Sequence, residues 1–79
     1  MPQTVMVGKE LKERFILEAE LERMPRHLIV AVMLPTGAIE VIHNTDCLKE
    51  KLAYYIEKYD DEFRLRANPD IQIVDYMLL

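Results

Sequence analysis

The chain has a single cysteine, Cys47, in 79 residues, and this shortage excludes an internal disulfide. Small secreted domains usually depend on several disulfides, so a cytoplasmic location is expected. No apolar run approaches the roughly 20 residues of a membrane-spanning helix, and the N-terminus has no apolar signal-peptide core with a small-residue cleavage site. We therefore expect a soluble protein with no membrane partner.

Basic residues are also in short supply, with 10 Lys and Arg against 14 Asp and Glu and a net charge of -4. This acidic balance disfavours a protein whose main task is to neutralise phosphates, so a nucleic-acid partner is not expected. The two glycines and four prolines are spread along the chain rather than gathered in a linker. With no internal repeat or low-complexity tract, residues 1–79 are predicted to form one small domain.

Apolar residues, in contrast, make up 51% of the chain, and seven of them follow one another from Leu28 to Leu34. A strand covered on one side only should alternate apolar and polar residues. This run therefore predicts a strand whose two faces are both covered. Since the chain offers one convincing helix for that purpose, a second copy of the chain is the simplest source of the missing cover.

A turn signal follows this run, because the sequence Leu34–Gly37 is LPTG. Proline is favoured at the second position of a type I turn, and glycine supplies the left-handed residue that a hairpin with a G1 bulge requires. The turn sets the register of the hairpin, with Val30 opposite Ile42. Gly37 is predicted to be left-handed.

The next segment has the pattern of an amphipathic helix, which Asn44–Asp46 would begin and Asn68–Asp70 would end. Its apolar residues recur at spacings of three and four, at Leu48, Leu52, Tyr55, Ile56, Tyr59 and Phe63. A last strand is predicted over 71–79. A helix that follows a strand normally returns the next strand parallel to the first, so this strand should run parallel to 38–43, beside it or one strand over.

The N-terminal part is less regular, and the conformation of residues 1–13 stays open. From Phe15 the pattern alternates apolar residues with Glu18, Glu20 and Glu22. A helix over residues 14–24 would place Glu18 and Glu22 on its apolar stripe, so a strand is favoured, although glutamate is a poor strand former. The predicted fold class is α+β, with a β-β-β-α-β order, a sheet of three or four strands and one helix on one face.

Three residues could carry chemistry, because His27 and His43 are expected at one end of the hairpin with Cys47 close behind. Zinc sites usually show paired ligands such as C-x2-C or H-x3-H, and neither pair occurs here. A catalytic cysteine needs a histidine base and a third, orienting group, and only His43 is expected near Cys47. The sequence predicts no catalytic residues, no metal site and no cofactor.

These patterns favour a non-enzymatic protein-interaction module, a homodimer that acts by contact as an inhibitor, adaptor or assembly factor, such as a phage or mobile-element accessory protein. The candidate interface residues lie on one predicted sheet face and at exposed aromatic positions: Leu28, Val30, Val32, Ile42, Tyr54, Tyr76 and Leu78. Glu18, Glu20 and Glu22 form a candidate acidic docking surface for another protein. The alternative is a role related to nucleic acid, as a mimic of DNA charge through this acidic strand or by RNA binding.

Overall fold

The computed structural model describes residues 8–79, which form two helices and four strands. In chain order these are α1 (Lys9–Leu21), β1 (Leu28–Met33), β2 (Ile39–Asn44), α2 (Leu48–Lys58), β3 (Arg64–Leu65) and β4 (Asn68–Leu78). The α+β class predicted from the sequence is confirmed. The predicted order of elements is wrong at its beginning, because a helix precedes β1 where a strand was expected.

The hairpin of β1 and β2 has the predicted register, with Val30 opposite Ile42 in an antiparallel pair. Its turn is closed by two main-chain hydrogen bonds, from Leu34 N to Ala38 O and from Gly37 N to Leu34 O, each 2.8 Å long. Gly37 has a φ of 90°, which is accessible to glycine and strained for other residues. The turn chemistry predicted from LPTG is therefore confirmed.

The sheet has the strand order β2-β1-β4-β3, and each neighbouring pair is antiparallel. Since β1 is antiparallel to both β2 and β4, these two outer neighbours run parallel to each other. The last strand was predicted to run parallel to β2, either beside it or one strand over, and it lies one strand over. The pairing of β1 with β4 shifts between Ala31, opposite Asp75, and Val32, opposite Ile73. Val74 is thus the extra residue of a β-bulge, which increases the local twist of the strand.

The strand predicted from Phe15 onward is wrong, because these residues belong to α1. The fully buried residues of this helix lie in its first half, at Leu11, Lys12 and Phe15, and Ala19 packs partly against the core. Glu18 lies beyond these buried residues. Its carboxylate is therefore not forced into the apolar core when the segment forms a helix. Since Glu, Leu, Lys, Arg and Ala are all good helix formers, local propensity and burial agree.

The amphipathic helix predicted after the hairpin is confirmed as α2, but both of its ends differ from the prediction. Its N-cap is Cys47, in the left-handed region with no capping side chain, rather than a residue of 44–46. It ends at Lys58, because Tyr59 is already extended, with φ -108° and ψ 145°. A tight turn then brings Phe63, with a φ of 63°, fully into the core.

Both helices pack on the same face of the sheet, and one hydrophobic cluster joins them to it. Its buried members are Leu11, Phe15, Leu28, Val30, Val32, Leu48, Leu52, Tyr55, Tyr59, Phe63 and Ile73. Phe15 lies at its centre, in edge-to-face contact with Tyr55, Phe63 and Tyr76 at ring-centroid distances of 6.3, 5.3 and 5.0 Å. The opposite face of the sheet carries no helix among the described residues.

Candidate functional site

The helix-free face of the sheet is the main candidate site, and we call it the open face. Burial alternates along β1, so that Leu28, Val30 and Val32 are buried while the residues between them are half-buried. Residues directly opposite one another on paired strands share a face. The apolar residues of the open face are therefore Ile29, Ala31 and Met33 of β1, Ile39 and Val41 of β2, and Met77 of β4.

These side chains are well exposed to solvent, with Ile39, Val41 and Met77 retaining 54%, 64% and 53% of their accessible surface. Isolated exposed apolar residues are normal in soluble proteins, but contiguous apolar patches mark interaction surfaces. Here three neighbouring strands contribute to one patch. The open face thus has the composition of an interface.

The concavity on the open face is small. It lies between Ile29, Ala31, Val41, Asp75 and Met77 and has a volume of about 110 Å³. Small-molecule sites usually enclose about 300 to 1,000 Å³. A depression of this size on a sheet holds one side chain of a partner at most.

Two histidines meet at the border of the open face. His43 lies on β2 opposite Ile29, and His27 directly precedes β1. The Nδ1 atom of His27 lies 2.9 Å from the Nε2 atom of His43, and the ring centroids are 5.1 Å apart. The prediction that both residues occupy one end of the hairpin is thereby confirmed.

The candidate interface residues from the sequence fall mostly on the other side of the sheet. Leu28, Val30 and Val32 are 0%, 0% and 4% exposed beneath the helices, so in this fold they have no surface to offer a partner. Half-buried Ile42, Tyr76 and Leu78 also pack against the core. Tyr54 alone of the set is exposed, at 47%. The apolar run does present two faces, but the chain's own helices cover the one chosen for an interface.

The acidic strand surface proposed from the sequence does not exist, because its glutamates lie on or just after α1. Successive residues of a helix turn by about 100°, so Glu18 and Glu20 point in different directions. Glu18 accepts a hydrogen bond from Arg14 Nε at 2.6 Å. Glu22 accepts one from the main-chain amide of Met24 at 3.2 Å. Two of the three carboxylates thus have local partners rather than forming one docking row.

Cys47 is exposed and lies beside a surface cleft of about 410 Å³. The cleft is also lined by cationic Arg23, Arg26 and Lys49. No histidine lines it, so the base that a catalytic cysteine needs is not part of the cleft.

One residue that sequence reasoning missed is Lys12, which is only 3% exposed. Its ammonium donates hydrogen bonds to the carbonyl oxygens of Ile56, Tyr59 and Asp60, at 2.9, 2.7 and 3.2 Å. Burial lowers the pKa of Lys12 from its ordinary value. All three N–H donors of the ammonium are used by carbonyl groups at the end of α2. Lys12 therefore joins the two helices and has no donor left for a ligand.

Within residues 8–79 no three His, Cys, Asp or Glu side chains are grouped to hold a metal ion. No helix there is long and apolar enough to cross a membrane. Comparison of the chain with protein-family models, with curated proteins and with solved structures gives no match.

Proposed function

We propose that this chain is a non-enzymatic interaction module that forms a homodimer through the open face of its sheet. The observation that carries the proposal is the exposed, mainly apolar surface opposite the helices, which β1 and β2 form together with Met77 of β4. The helices cover one face of the sheet, and a second copy of the chain supplies the cover for the other.

The energetic argument rests on the three most exposed side chains of the face, Ile39, Val41 and Met77, each about half exposed. Burying an apolar side chain of this size completely is worth about 1.5 to 3 kcal/mol. Covering the exposed half of each therefore contributes a few kcal/mol. This gain is substantial beside the total stability of about 5 to 15 kcal/mol of an ordinary domain.

A second copy suits this face because most of its side chains are apolar. In a two-fold dimer the same patch meets itself, and apolar side chains tolerate this while like charges would repel. Asp75 of β4 also lies on this face, opposite Ala31, and lines its concavity with Ile29, Val41 and Met77, so the dimer must keep the two Asp75 carboxylates apart. A partner recognised by charge would require more ionic groups.

The size of the face sets the expected affinity. Six-residue strands about 20 Å long and three strands spaced by about 4.8 Å give a footprint on the order of 300 Å². Standard stable interfaces bury about 800 Å² on each partner. An interface this much smaller than the standard predicts a weak, reversible dimer whose population rises with protein concentration.

Sedimentation velocity over a micromolar concentration range tests the proposal. The wild-type protein should sediment as a dimer, and Val41→Glu should remain folded and sediment as a monomer. The matched control is Leu21→Glu, because Leu21 of α1 is 71% exposed and lies outside the open face. A monomeric wild-type protein, or dissociation caused by Leu21→Glu and not by Val41→Glu, would contradict the proposal.

The alternative role as a mimic of DNA charge has less support. It required Glu18, Glu20 and Glu22 in a row along one strand face, and these residues lie at α1 instead. On a helix Glu20 points away from Glu18, and Glu22 is already the C-cap residue after the helix. Self-association through the open face is the function that the arrangement of the side chains favours.

A further inference from the structure

The outer edge of β4 has no neighbouring strand along its last residues. β3 is two residues long and pairs with β4 at Gln72 and Asn68, and the amide of Ile73 donates to Phe63 O at 2.9 Å. Beyond Ile73, no strand of the described part of the chain pairs with this side of β4. We call residues 74–78 the free edge.

The pairing of β4 with β1 determines which main-chain groups the free edge presents. The amide of His27 donates to Leu79 O at 3.1 Å, and the amide of Leu79 donates to His27 O at 2.9 Å. In an antiparallel pair, such doubly bonded residue pairs alternate with pairs whose main-chain groups point away from the partner strand. Met77 therefore bonds to β1, whereas the amide and carbonyl groups of Tyr76 and Leu78 point outward from the sheet.

A cleft of about 410 Å³ follows the free edge on the side of α1. It is lined by four consecutive strand residues, 75–78, and by Leu11, Arg14 and Glu18 of α1. Successive strand residues point to opposite faces of a sheet, so a cleft that touches four in a row lies along the strand edge rather than on one face. An extended chain fits such a cleft and can pair with the outward main-chain groups.

The charges of the cleft indicate the chemistry of its occupant. Glu18 is paired with Arg14 at 2.6 Å, whereas exposed Asp75 forms no salt bridge within residues 8–79. The Oδ1 atom of Asp75 instead accepts a hydrogen bond from the amide of Tyr76 at 2.8 Å. This carboxylate occupies the place that a carbonyl group of an added strand would take, and an added strand would free it for a basic side chain.

We propose that the free edge binds an extended, basic segment of a partner protein by strand addition, with a lysine or arginine of that segment at Asp75. Residues of the segment opposite Tyr76 and Leu78 lie on the side of Leu11 and are apolar. Main-chain pairing uses the edge of the sheet and not its open face, so this partner is additional to the second copy of the chain.

Nuclear magnetic resonance titration of the isotope-labelled protein with synthetic peptides tests the proposal. The probe is an acetylated and amidated heptapeptide of alternating valine and lysine. One control peptide has glutamate in place of lysine. The other has every amide N-methylated, which keeps the charges and removes the main-chain donors. The probe should bind at least about tenfold more tightly than either control, because unpaired main-chain groups and like charges both weaken binding.

Hydrogen exchange of single amides locates the contact. In the free protein the outward amide of Leu78 should exchange fast and that of Met77, which bonds to β1, slowly. At a free-peptide concentration of about ten times Kd, exchange at Leu78 should slow about tenfold by mass action, and Met77 should not change. A Leu78 amide already protected in the free protein would show the edge occupied, by a second copy if dilution exposes it and by the same chain if not. Either result, or unchanged exchange with the peptide, would overturn the proposal.

Asp75→Asn tests the basic specificity, because it removes the charge and keeps an oxygen for the Tyr76 amide. Its affinity for the lysine peptide should fall about two- to fivefold, the range for an exposed ion pair. Glu20→Gln removes the same charge at an exposed position of α1 outside the cleft and should bind as the parent does. Equal affinities of Asp75→Asn and the parent, or equal losses in both variants, would overturn the proposal. None of these outcomes depends on the open-face dimer.

Discussion

The ammonium of Lys12 lies 2.7 Å from the carbonyl oxygen of Tyr59, and this contact joins α1 to the end of α2. Carbonyl groups in the last turn of a helix have no partners within the helix, and a positive charge there also complements the helix dipole. The same ammonium lies 5.5 Å from the centre of the Phe63 ring. Lys12 thus satisfies three main-chain acceptors inside the core region.

Replacement of this lysine should destabilise the fold. Lys12→Met keeps the apolar stem and leaves the carbonyls of Ile56 and Tyr59 without their donor, so the free energy of unfolding should fall by about 2 kcal/mol or more. Urea denaturation measures the change. Lys9→Met, at an exposed position of the same helix, is the control and should change the midpoint little. Equal midpoints for the two variants would show that Lys12 does not stabilise the helix pair.

Lys12 also explains where sequence reasoning succeeded and where it failed. The register of the hairpin could be predicted because the LPTG turn and the neighbouring apolar run are local signals. The helix α1 was missed because the alternation of Glu18, Glu20 and Glu22 imitates a strand. The contacts that favour the helix over the strand join Lys12 to residues 44 to 48 positions further along the chain. A local sequence pattern cannot reveal such contacts.

The same distinction applies to the candidate site. That the run from Leu28 to Leu34 has two apolar faces follows from its composition alone. Which face the helices cover depends on the placement of α1 and α2, so the sequence could not show that Val30 and Val32 are buried beneath them. The closeness of His27 and His43 was expected from the hairpin, whereas their 2.9 Å separation depends on rotamers that the sequence does not specify.

Gly37 should be sensitive to substitution for backbone reasons alone. A β-carbon at this position would meet no atom within 4 Å, yet the φ of 90° is rarely adopted by L-residues. Gly37→Val should therefore destabilise the protein by about 1 kcal/mol or more. Ala38→Val, at the next exposed position of the turn, is the control. If both variants unfold at the same denaturant concentration, the left-handed turn is contradicted.

The stability of the protein should fall at alkaline pH, in part because of Tyr59. Burial raises the pKa of Tyr59 from 10.0 to about 12. Below pH 10 the hydroxyl is protonated in both folded and unfolded chains, so stability does not depend on it. Between pH 10 and 12 the unfolded chain loses this proton and the folded chain keeps it, which favours unfolding by about 2 kcal/mol at pH 12.

Urea denaturation of the wild-type protein and of Tyr59→Phe at several pH values measures this effect. Phenylalanine keeps the buried ring and has no proton to lose, so the stability of the variant should decline less between pH 10 and 12. Burial also raises the pKa of Tyr55. Because Tyr55 is present in both proteins, both should still lose some stability over this pH range. Parallel curves for the two proteins would contradict the assignment to Tyr59.

Two adjacent residues of β1 should respond in opposite ways to the same charge. Val32 is 4% exposed beneath the helices, and Met33 is half-buried on the open face opposite Ile39. An unpaired carboxylate in the core costs several kcal/mol, and this is a large part of the stability of a domain of this size. Val32→Glu should therefore unfold the chain. Met33→Glu leaves its carboxylate in contact with water and should preserve the fold.

Circular dichroism distinguishes folded from unfolded variants, and sedimentation then reports the oligomeric state of the folded one. Met33→Glu should retain the wild-type spectrum and sediment as a monomer, because two carboxylates would meet without partners across a two-fold interface. A folded Val32→Glu variant would contradict the placement of the core. A Met33→Glu protein that remains dimeric would show that the second copy does not cover the part of the open face around Met33, since an unpaired buried charge is costly.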